Sequence, residues 1–79
     1  MDQIVNIQRQ QIIMAFVATC IETTARYLGV DYSDVYERMK RLGIIENYIY
    51  SNYETLHSES RENLAKEMVE CMNRWETAR

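Results

Sequence analysis

The sequence predicts an all-α fold, a compact array of four helices joined by short connections. The 79 residues include no proline and only two glycines, Gly29 and Gly43, so the turn residues that an all-β fold needs are missing. Apolar residues recur at helical spacing and make up 47% of the chain, which is enough for a folded core. A chain of this length makes one domain, and we expect residues 1–79 to form it.

The first helix is predicted over residues 4–28. From residue 12 onward its apolar side chains cover a stripe wider than that of an ordinary surface helix, which predicts a central position with several neighbours. These side chains are Ile12, Ile13, Phe16, Val17, Cys20, Ile21 and Leu28. In the first turns of the helix, the face that is apolar from residue 12 onward carries polar side chains instead. We therefore expect residues 1–11 to project from the core or to fray. Gly29 is expected to end the helix in a left-handed conformation, with Val30 closing a hydrophobic contact.

The second helix is predicted over residues 31–42, with Asp31 or Ser33 as its cap and Gly43 just beyond its end. Asp34 in the first turn suits the positive end of the helix dipole. The residues expected to be buried follow one face at helical spacing, and they are Tyr32, Val35, Tyr36, Met39 and Leu42.

The third helix is predicted over residues 44–56 and the fourth over residues 60–77. The third segment is rich in tyrosine, which also suits a strand, but a single strand would have nothing to pair with. Ser58 or Ser60 is expected to cap the fourth helix. Its predicted buried residues are Leu64, Met68, Cys71 or Met72, and Trp75, whereas the pairs Glu62–Lys66 and Glu70–Arg74 mark its solvated face.

Charge and hydropathy narrow the class of partner. The net charge of −3 leaves no basic excess for non-specific binding to nucleic acid. The longest apolar run, residues 12–21, is about half as long as a membrane crossing. The sequence opens with Met1 and Asp2 rather than with a basic segment, so no secretory signal is expected. These features predict a cytoplasmic protein that binds no membrane. They argue against nucleic acid as the partner, although a local cluster of cations could still bind it.

No residue pattern predicts a catalytic, cofactor or metal site. Cys20 and Cys71 lie far apart in apolar stretches, which favours two buried thiols over a disulfide or a reactive thiol. His57 is the only histidine, and a structural role at the end of the third helix is favoured over a catalytic group with Ser58 and a neighbouring glutamate. Glycine-rich phosphate loops and metal-binding clusters are missing. We therefore predict no enzyme, no cofactor, no metal and no small-molecule substrate.

The expected activity is binding to a protein partner, to a second copy of the chain, or to both. A domain of this length buries only roughly 60–65% of its unfolded surface, and neither disulfide nor metal is predicted to reinforce it. The high apolar content also leaves surface for association. A homodimer or a complex with another protein is therefore expected, and the homodimer is the predicted oligomer.

Six tyrosines lie between residues 27 and 53. Tyr32, Tyr36 and Tyr53 are expected in the core, with their hydroxyls reaching the surface. Tyr48 and Tyr50 cannot share one face of a helix, so at least one of them is expected to be exposed. Because exposed tyrosines anchor interfaces, Tyr48 and Tyr50 are predicted to bind a partner.

A helix-turn-helix regulator that binds DNA through residues 25–42 is the alternative interpretation. Residues 25–35 place a small residue, a turn glycine and an apolar residue at the spacing of this motif. Any tight corner between two helices needs the same residues, however. Asp31 and Asp34 stand at the end of the recognition helix that would approach the DNA. The cations that would bind DNA lie toward the other end, and they are Arg38, Lys40 and Arg41.

Two motifs resemble those of a small all-helical bacterial family of unknown function. The first is Cys20-Ile21-Glu22, and the second is Tyr53-Glu54-Thr55-Leu56-His57-Ser58, which fits the family pattern Y-(E/D)-x-L-H-(T/S). Some members of that family are encoded beside proteins similar to ADP-ribosyltransferase toxins, so the resemblance implies an antitoxin-like or accessory role. For that role, the Tyr53–His57 region is expected to contact the partner together with the exposed tyrosines, so Tyr53 and His57 join Tyr48 and Tyr50 as predicted partner-binding residues. The sequence departs from the family at Ser58-Glu59-Ser60, where a glycine-containing turn is usual.

Overall fold

The computed structural model describes residues 8–78, and all regular secondary structure within that range is helical. The predicted all-α class is confirmed. The elements are α1 (Arg9–Leu28), α2 (Tyr32–Leu42), a π-helix (Ile45–Ile49), α3 (Tyr53–Leu56) and α4 (Arg61–Thr77). Within residues 8–78, five helical segments therefore take the place of the four that the sequence predicts.

The predicted third helix, residues 44–56, is wrong as a continuous element. The backbone N–H of Tyr50 donates to the carbonyl of Ile45 at 3.1 Å, five residues back, so this stretch is wound as a π-helix. Asn52 then leaves the helical conformation, and its side chain donates to the carbonyl of Tyr48 at 2.8 Å. A side chain that bonds to the backbone in this way competes with helix continuation, and the chain restarts as the short helix α3.

The start of the chain differs in part from the prediction. Residues 1–7, which include the predicted beginning of the first helix, lie outside the described residues. Within the segment that was expected to project or fray, α1 is helical from Arg9 onward. The guanidinium of Arg9 binds the carboxylate of Glu54 at 2.8 Å, which ties the first turn of α1 to α3.

Both glycines end their helices as predicted. Gly29 has φ 72° and Gly43 has φ 77°, in the left-handed region that L-residues with a Cβ rarely adopt. The N–H groups of Gly29 and Val30 both donate to the carbonyl of Ala25, at 2.8 and 3.0 Å, which closes the end of α1. The side chain of Val30 stays 45% exposed, so the hydrophobic contact expected there is incomplete.

The helix starts are capped unequally. Ser60 caps α4, since its hydroxyl accepts from the N–H of Asn63 at 3.1 Å. Asp31 occupies the capping position of α2, but its side chain makes no capping hydrogen bond. Asp34 lies in the first turn of α2 as predicted.

The core forms where α1 packs mainly against α4 and also against α2. Its buried side chains include Val17, Cys20 and Ile21 of α1, Val35, Met39 and Leu42 of α2, and Leu64, Met68, Cys71 and Met72 of α4. Thr24 is also buried, and its hydroxyl donates to the carbonyl of Cys20 at 2.7 Å. α1 is thus the central helix that the sequence predicts.

Four predicted core residues lie at the surface instead. Ile12 and Leu28 of α1 are exposed, because the buried face of that helix is narrower than the apolar stripe of the sequence. Tyr32 and Tyr36 are also exposed, because the face of α2 that enters the core passes through Val35. Tyr53 packs against the core but is only partly buried.

Within residues 8–78, no single helix is both long and apolar enough to cross a membrane. α1 and α2 pass that test only when they are taken together, and the chain bends by 118° between them.

A candidate partner-binding groove

A groove lies where α1, α2 and the π-helix meet, and its volume is about 470 Å³. The lining is mostly apolar and consists of Met14, Val17, Tyr36, Lys40, Gly43, Ile45, Glu46 and Tyr50. Met14 is 52% exposed, a high value for a large apolar side chain, so the groove is open to solvent. The arrangement offers an apolar surface that nothing in the described chain covers.

The local sequence explains how the groove forms. Gly43 ends α2 with a positive φ and lets the chain turn at once into the π-helix. π-helical turns are uncommon and often occur at functional sites. The turn that follows brings Tyr50 over α1, where its hydroxyl donates to the sulfur of Met14 at 2.7 Å. This contact bridges two walls of the groove.

Two opposite charges stand in the groove lining. The ammonium of Lys40 lies 5.7 Å from the centre of the Tyr36 ring, a cation–π contact. Within residues 8–78, neither Lys40 nor Glu46 has an oppositely charged group within ion-pair distance. Both charges are therefore available to a bound partner.

Tyr53 and His57, two of the predicted partner-binding residues, form a separate cluster at the start of α1. Their rings stack with centroids 4.8 Å apart, and Phe16 meets the Tyr53 ring edge-on at 5.3 Å. Arg9 lies over the same ring at 5.6 Å. Glu54 is 3.9 Å from the imidazole of His57. These contacts hold α3 against α1, so they favour the structural role of His57.

Tyr48 lies elsewhere again, against α4. Its ring packs edge-on against Trp75 with centroids 6.2 Å apart. Burial and the neighbouring ionisable groups Cys71 and Glu67 raise the pKa of its phenol.

The structure distributes the four predicted partner-binding residues over three places, Tyr48 against α4, Tyr50 in the groove, and Tyr53 with His57 at the start of α1. Of these four residues, only Tyr50 lines the groove. Sequence reasoning did not assign Met14, Tyr36 and Ile45 to a binding site, although the 47% apolar content did predict apolar surface left for association.

The three cations assigned to DNA binding are partly engaged within the chain. Arg38 forms two hydrogen bonds with the carboxylate of Glu76, at 2.9 and 2.8 Å, and a third with the amide oxygen of Asn73 at 3.2 Å. Arg41 lies 3.6 Å from the same carboxylate. The hydrogen bond from Arg38 is the main cause that lowers the pKa of Glu76. Of the three, Lys40 alone lacks such a partner among the described residues.

The thiols of Cys20 and Cys71 are both buried and free, as predicted. Burial raises the pKa of the Cys20 thiol from 9.0 to about 12, and burial also raises that of Cys71. Thiols of this kind stay protonated and unreactive at neutral pH. Within the described part of the chain, no three histidine, cysteine or acidic side chains are grouped so as to hold a metal ion.

A comparison with protein families gives one match. The profile of the family described as "Protein of unknown function (DUF3791)" covers residues 15–75, which is most of the chain and nearly all of the described helices. The chain belongs to the DUF3791 family. No curated protein and no solved structure matches it.

The region that matches DUF3791 contains both motifs on which the family resemblance rests. In the first motif, Cys20 and Ile21 are core residues, and Glu22 pairs with Arg26 on the surface at 3.4 Å. In the second, Leu56 is buried, and the stacked Tyr53 and His57 rings pack beside it. Both motifs therefore serve the packing of α1 and α3 in this DUF3791 chain. All the groove residues except Met14 also lie within the matched region.

Proposed function

We propose that this DUF3791 chain is a protein-interaction module that binds an apolar segment of a protein partner in the groove between α1, α2 and the π-helix. The observation that carries the proposal is the exposed Met14 between Tyr36 and Tyr50, with an apolar lining around it. Methionine is common at surfaces that adapt to partner side chains. Tyrosine anchors such surfaces, because it combines a large apolar ring with a polar end.

The chemistry of the groove favours a helix with an apolar face over a small molecule. Small-molecule sites enclose most of their ligand and direct several polar groups at it. Here the groove is open, and the Tyr50 hydroxyl is already engaged by the sulfur of Met14. A partner helix would lay its apolar face on Met14 and Ile45, an arrangement that protein complexes often use. A carboxylate and a cation beside that face would complement Lys40 and Glu46.

The family resemblance suggests one class of partner. Proteins similar to ADP-ribosyltransferase toxins are the first candidates, and the module would then act as an antitoxin-like or accessory protein. A helix of such a toxin with two or three adjacent large aliphatic residues would fit the groove.

The DNA-binding alternative has less support. Arg38 makes three hydrogen bonds within the chain and would have to leave Glu76 to reach a phosphate. Asp31 and Asp34 stand at the start of α2, the end that would approach the DNA. Light scattering with a short mixed-sequence duplex at low and moderate salt tests this alternative. Co-migration that weakens steeply with salt and is lost in Lys40→Ala would favour it over the groove.

Two matched variants test the groove in native cells. Met14→Glu places a charge in the groove, whereas Ile12→Glu places the same charge at an exposed position of α1 that does not line it. Ile12 is 43% exposed and Met14 is 52% exposed, so both positions can hold a charge at the surface, but Met14→Glu also removes the sulfur that accepts from the Tyr50 hydroxyl. Circular dichroism checks that both variants keep their helices.

We expect the wild type and Ile12→Glu to capture the same protein, and Met14→Glu to lose it. Hydrogen exchange of the purified complex should then show protection in residues 43–50 and in the first half of α1. A captured protein that still binds Met14→Glu, or protection confined to α4, would overturn the assignment of the groove.

A further inference from the structure

A second apolar surface lies at the corner between α1 and α2. The corner patch consists of Tyr27, Leu28, Val30 and Tyr32, which occur within six consecutive residues. Each of these side chains is between 37% and 50% exposed. Together they expose roughly 300–400 Å² of surface, which is within the range of the largest apolar patch on a typical monomer, and such a patch is often functional.

Cations border the patch on the side of α4. Arg26 and Arg61 line a shallow depression of about 330 Å³ together with Tyr27, so the end of α1 lies beside the start of α4. Arg26 has Glu22 as a partner at 3.4 Å, and Glu62 of the same depression lies 3.7 Å from Lys66. Within residues 8–78, Arg61 has no carboxylate within ion-pair distance.

Carboxylates border the patch on the side of α2. Asp31 occupies the N-cap position of that helix, but its side chain makes no capping hydrogen bond. Asp34 follows in the first turn and is exposed. In the described part of the chain, neither carboxylate has a cation within ion-pair distance. Carboxylates at the start of α2 and cations at the end of α1 and the start of α4 therefore lie next to the same apolar residues.

We propose that two copies of the chain associate through the corner patch about a twofold axis. In a twofold interface the contacts occur in pairs. If residue i of one copy contacts residue j of the other, then residue j of the first copy contacts residue i of the second. A patch with one acidic and one basic edge satisfies this condition, because Asp31 and Asp34 of each copy face Arg61 and Arg26 of the other. A protein of different sequence would need a matching pair of edges, whereas a second copy carries them already.

The size of the patch agrees with a small dimer interface. A standard interface buries about 800 Å² on each partner, and somewhat more than half of that area is apolar. The exposed surface of the corner patch supplies most of that apolar share, and the two charged edges supply the polar rim. The corner patch shares no residue with the proposed groove, so this proposal does not rest on the proposed function.

Charge exchange between two variants tests the proposal. In Asp34→Arg and in Arg61→Asp, each homodimer would place like charges opposite each other twice, and we expect the dimer Kd to rise by about tenfold or more. An equimolar mixture of the two variants restores both opposite-charge contacts in a heterodimer. Sedimentation equilibrium should therefore show association near the wild-type level in the mixture and not in either variant alone.

Apolar variants provide the second test. Val30→Glu puts a charge in the corner patch and should make the protein monomeric, whereas Ile12→Glu, at similar exposure on α1, should leave the dimer intact. Circular dichroism confirms the fold of every variant. A wild type that stays monomeric at its highest soluble concentration would overturn the proposal. So would a dimer that survives Val30→Glu, or a mixture of charge variants that associates no better than its components.

Discussion

The two helix-ending glycines allow a stability prediction with an internal control. Gly29 and Gly43 have nearly the same φ, 72° and 77°, so an alanine at either position has the same conformational cost. For an L-residue in the left-handed region this cost is roughly 1–2 kcal/mol. Their surroundings differ. A Cβ at position 29 would meet nothing within 4 Å, whereas a Cβ at position 43 would lie 3.0 Å from Nδ2 of Asn47.

We expect Gly29→Ala to lower the free energy of unfolding by roughly 1–2 kcal/mol. Gly43→Ala should lose that amount plus up to about 0.5–1.5 kcal/mol, because the Asn47 amide must move away from the new Cβ and its side chain is pushed off its preferred rotamer. In a domain of this size each kcal/mol lowers Tm by about 4–8 °C. Urea unfolding followed by circular dichroism, at one fixed protein concentration, measures both losses.

A double-mutant cycle with Asn47→Ala isolates the contact. Removing the amide should reduce the cost of Gly43→Ala to that of Gly29→Ala, since only the conformational cost remains. A Gly29→Ala variant as stable as the wild type would refute the left-handed end of α1. An excess cost of Gly43→Ala that persists in the Asn47→Ala background would show that the Asn47 contact is not its cause.

Three further predictions concern α4 and the ionisable groups. Ser60→Ala removes the cap that accepts from the Asn63 N–H and should cost about 0.5–2 kcal/mol in urea unfolding. Burial raises the pKa of the Cys20 thiol to about 12. The buried neutral thiol therefore contributes fully to stability below pH 9, and that contribution is lost between about pH 9 and pH 12. Cys20→Ala should flatten the resulting alkaline decline in the urea midpoint. Arg38 lowers the pKa of Glu76, so the pair contributes to stability above the ordinary carboxyl pKa of 4.5, and that contribution is lost as the pH falls. Glu76→Gln should therefore weaken the acid dependence of the urea midpoint. An acid dependence equal to that of the wild type would contradict the pairing.

Local signals in the sequence were enough to predict the elements that depend on near neighbours. The ends of α1 and α2 follow from glycines that tolerate a positive φ. The buried face of α2 follows from the spacing of Val35, Met39 and Leu42. The ion pairs on α4 follow from their four-residue separation. In each case the interaction lies within a few turns of one helix.

The groove was not predictable in the same way, because its walls come from distant parts of the chain. Met14 and Tyr50 are 36 residues apart and meet only when the π-helix turns back over α1. Apolar spacing reveals neither the π-helical winding of Ile45–Ile49 nor the bond by which the Asn52 side chain engages the Tyr48 carbonyl after it. Tyr32 and Tyr36 were assigned to the core because they continue the periodicity of α2, yet the core ends before it reaches them.

These two exposed tyrosines connect the proposed surfaces. Tyr32 belongs to the corner patch and Tyr36 lines the groove, and residues four apart on a helix are neighbours on one face. A second copy at the corner and a partner helix in the groove would therefore approach each other along α2. A substitution at Tyr36 would therefore affect both the groove and the corner patch. Met14 and Val30 lie outside the face of α2 that the two surfaces share, so substitutions there test each surface separately. If both surfaces are used, partner binding and dimer formation should be coupled thermodynamically. Because a dimer carries two grooves, a saturating partner should then shift the dimer Kd by the square of the factor by which partner affinity differs between the monomer and the dimer.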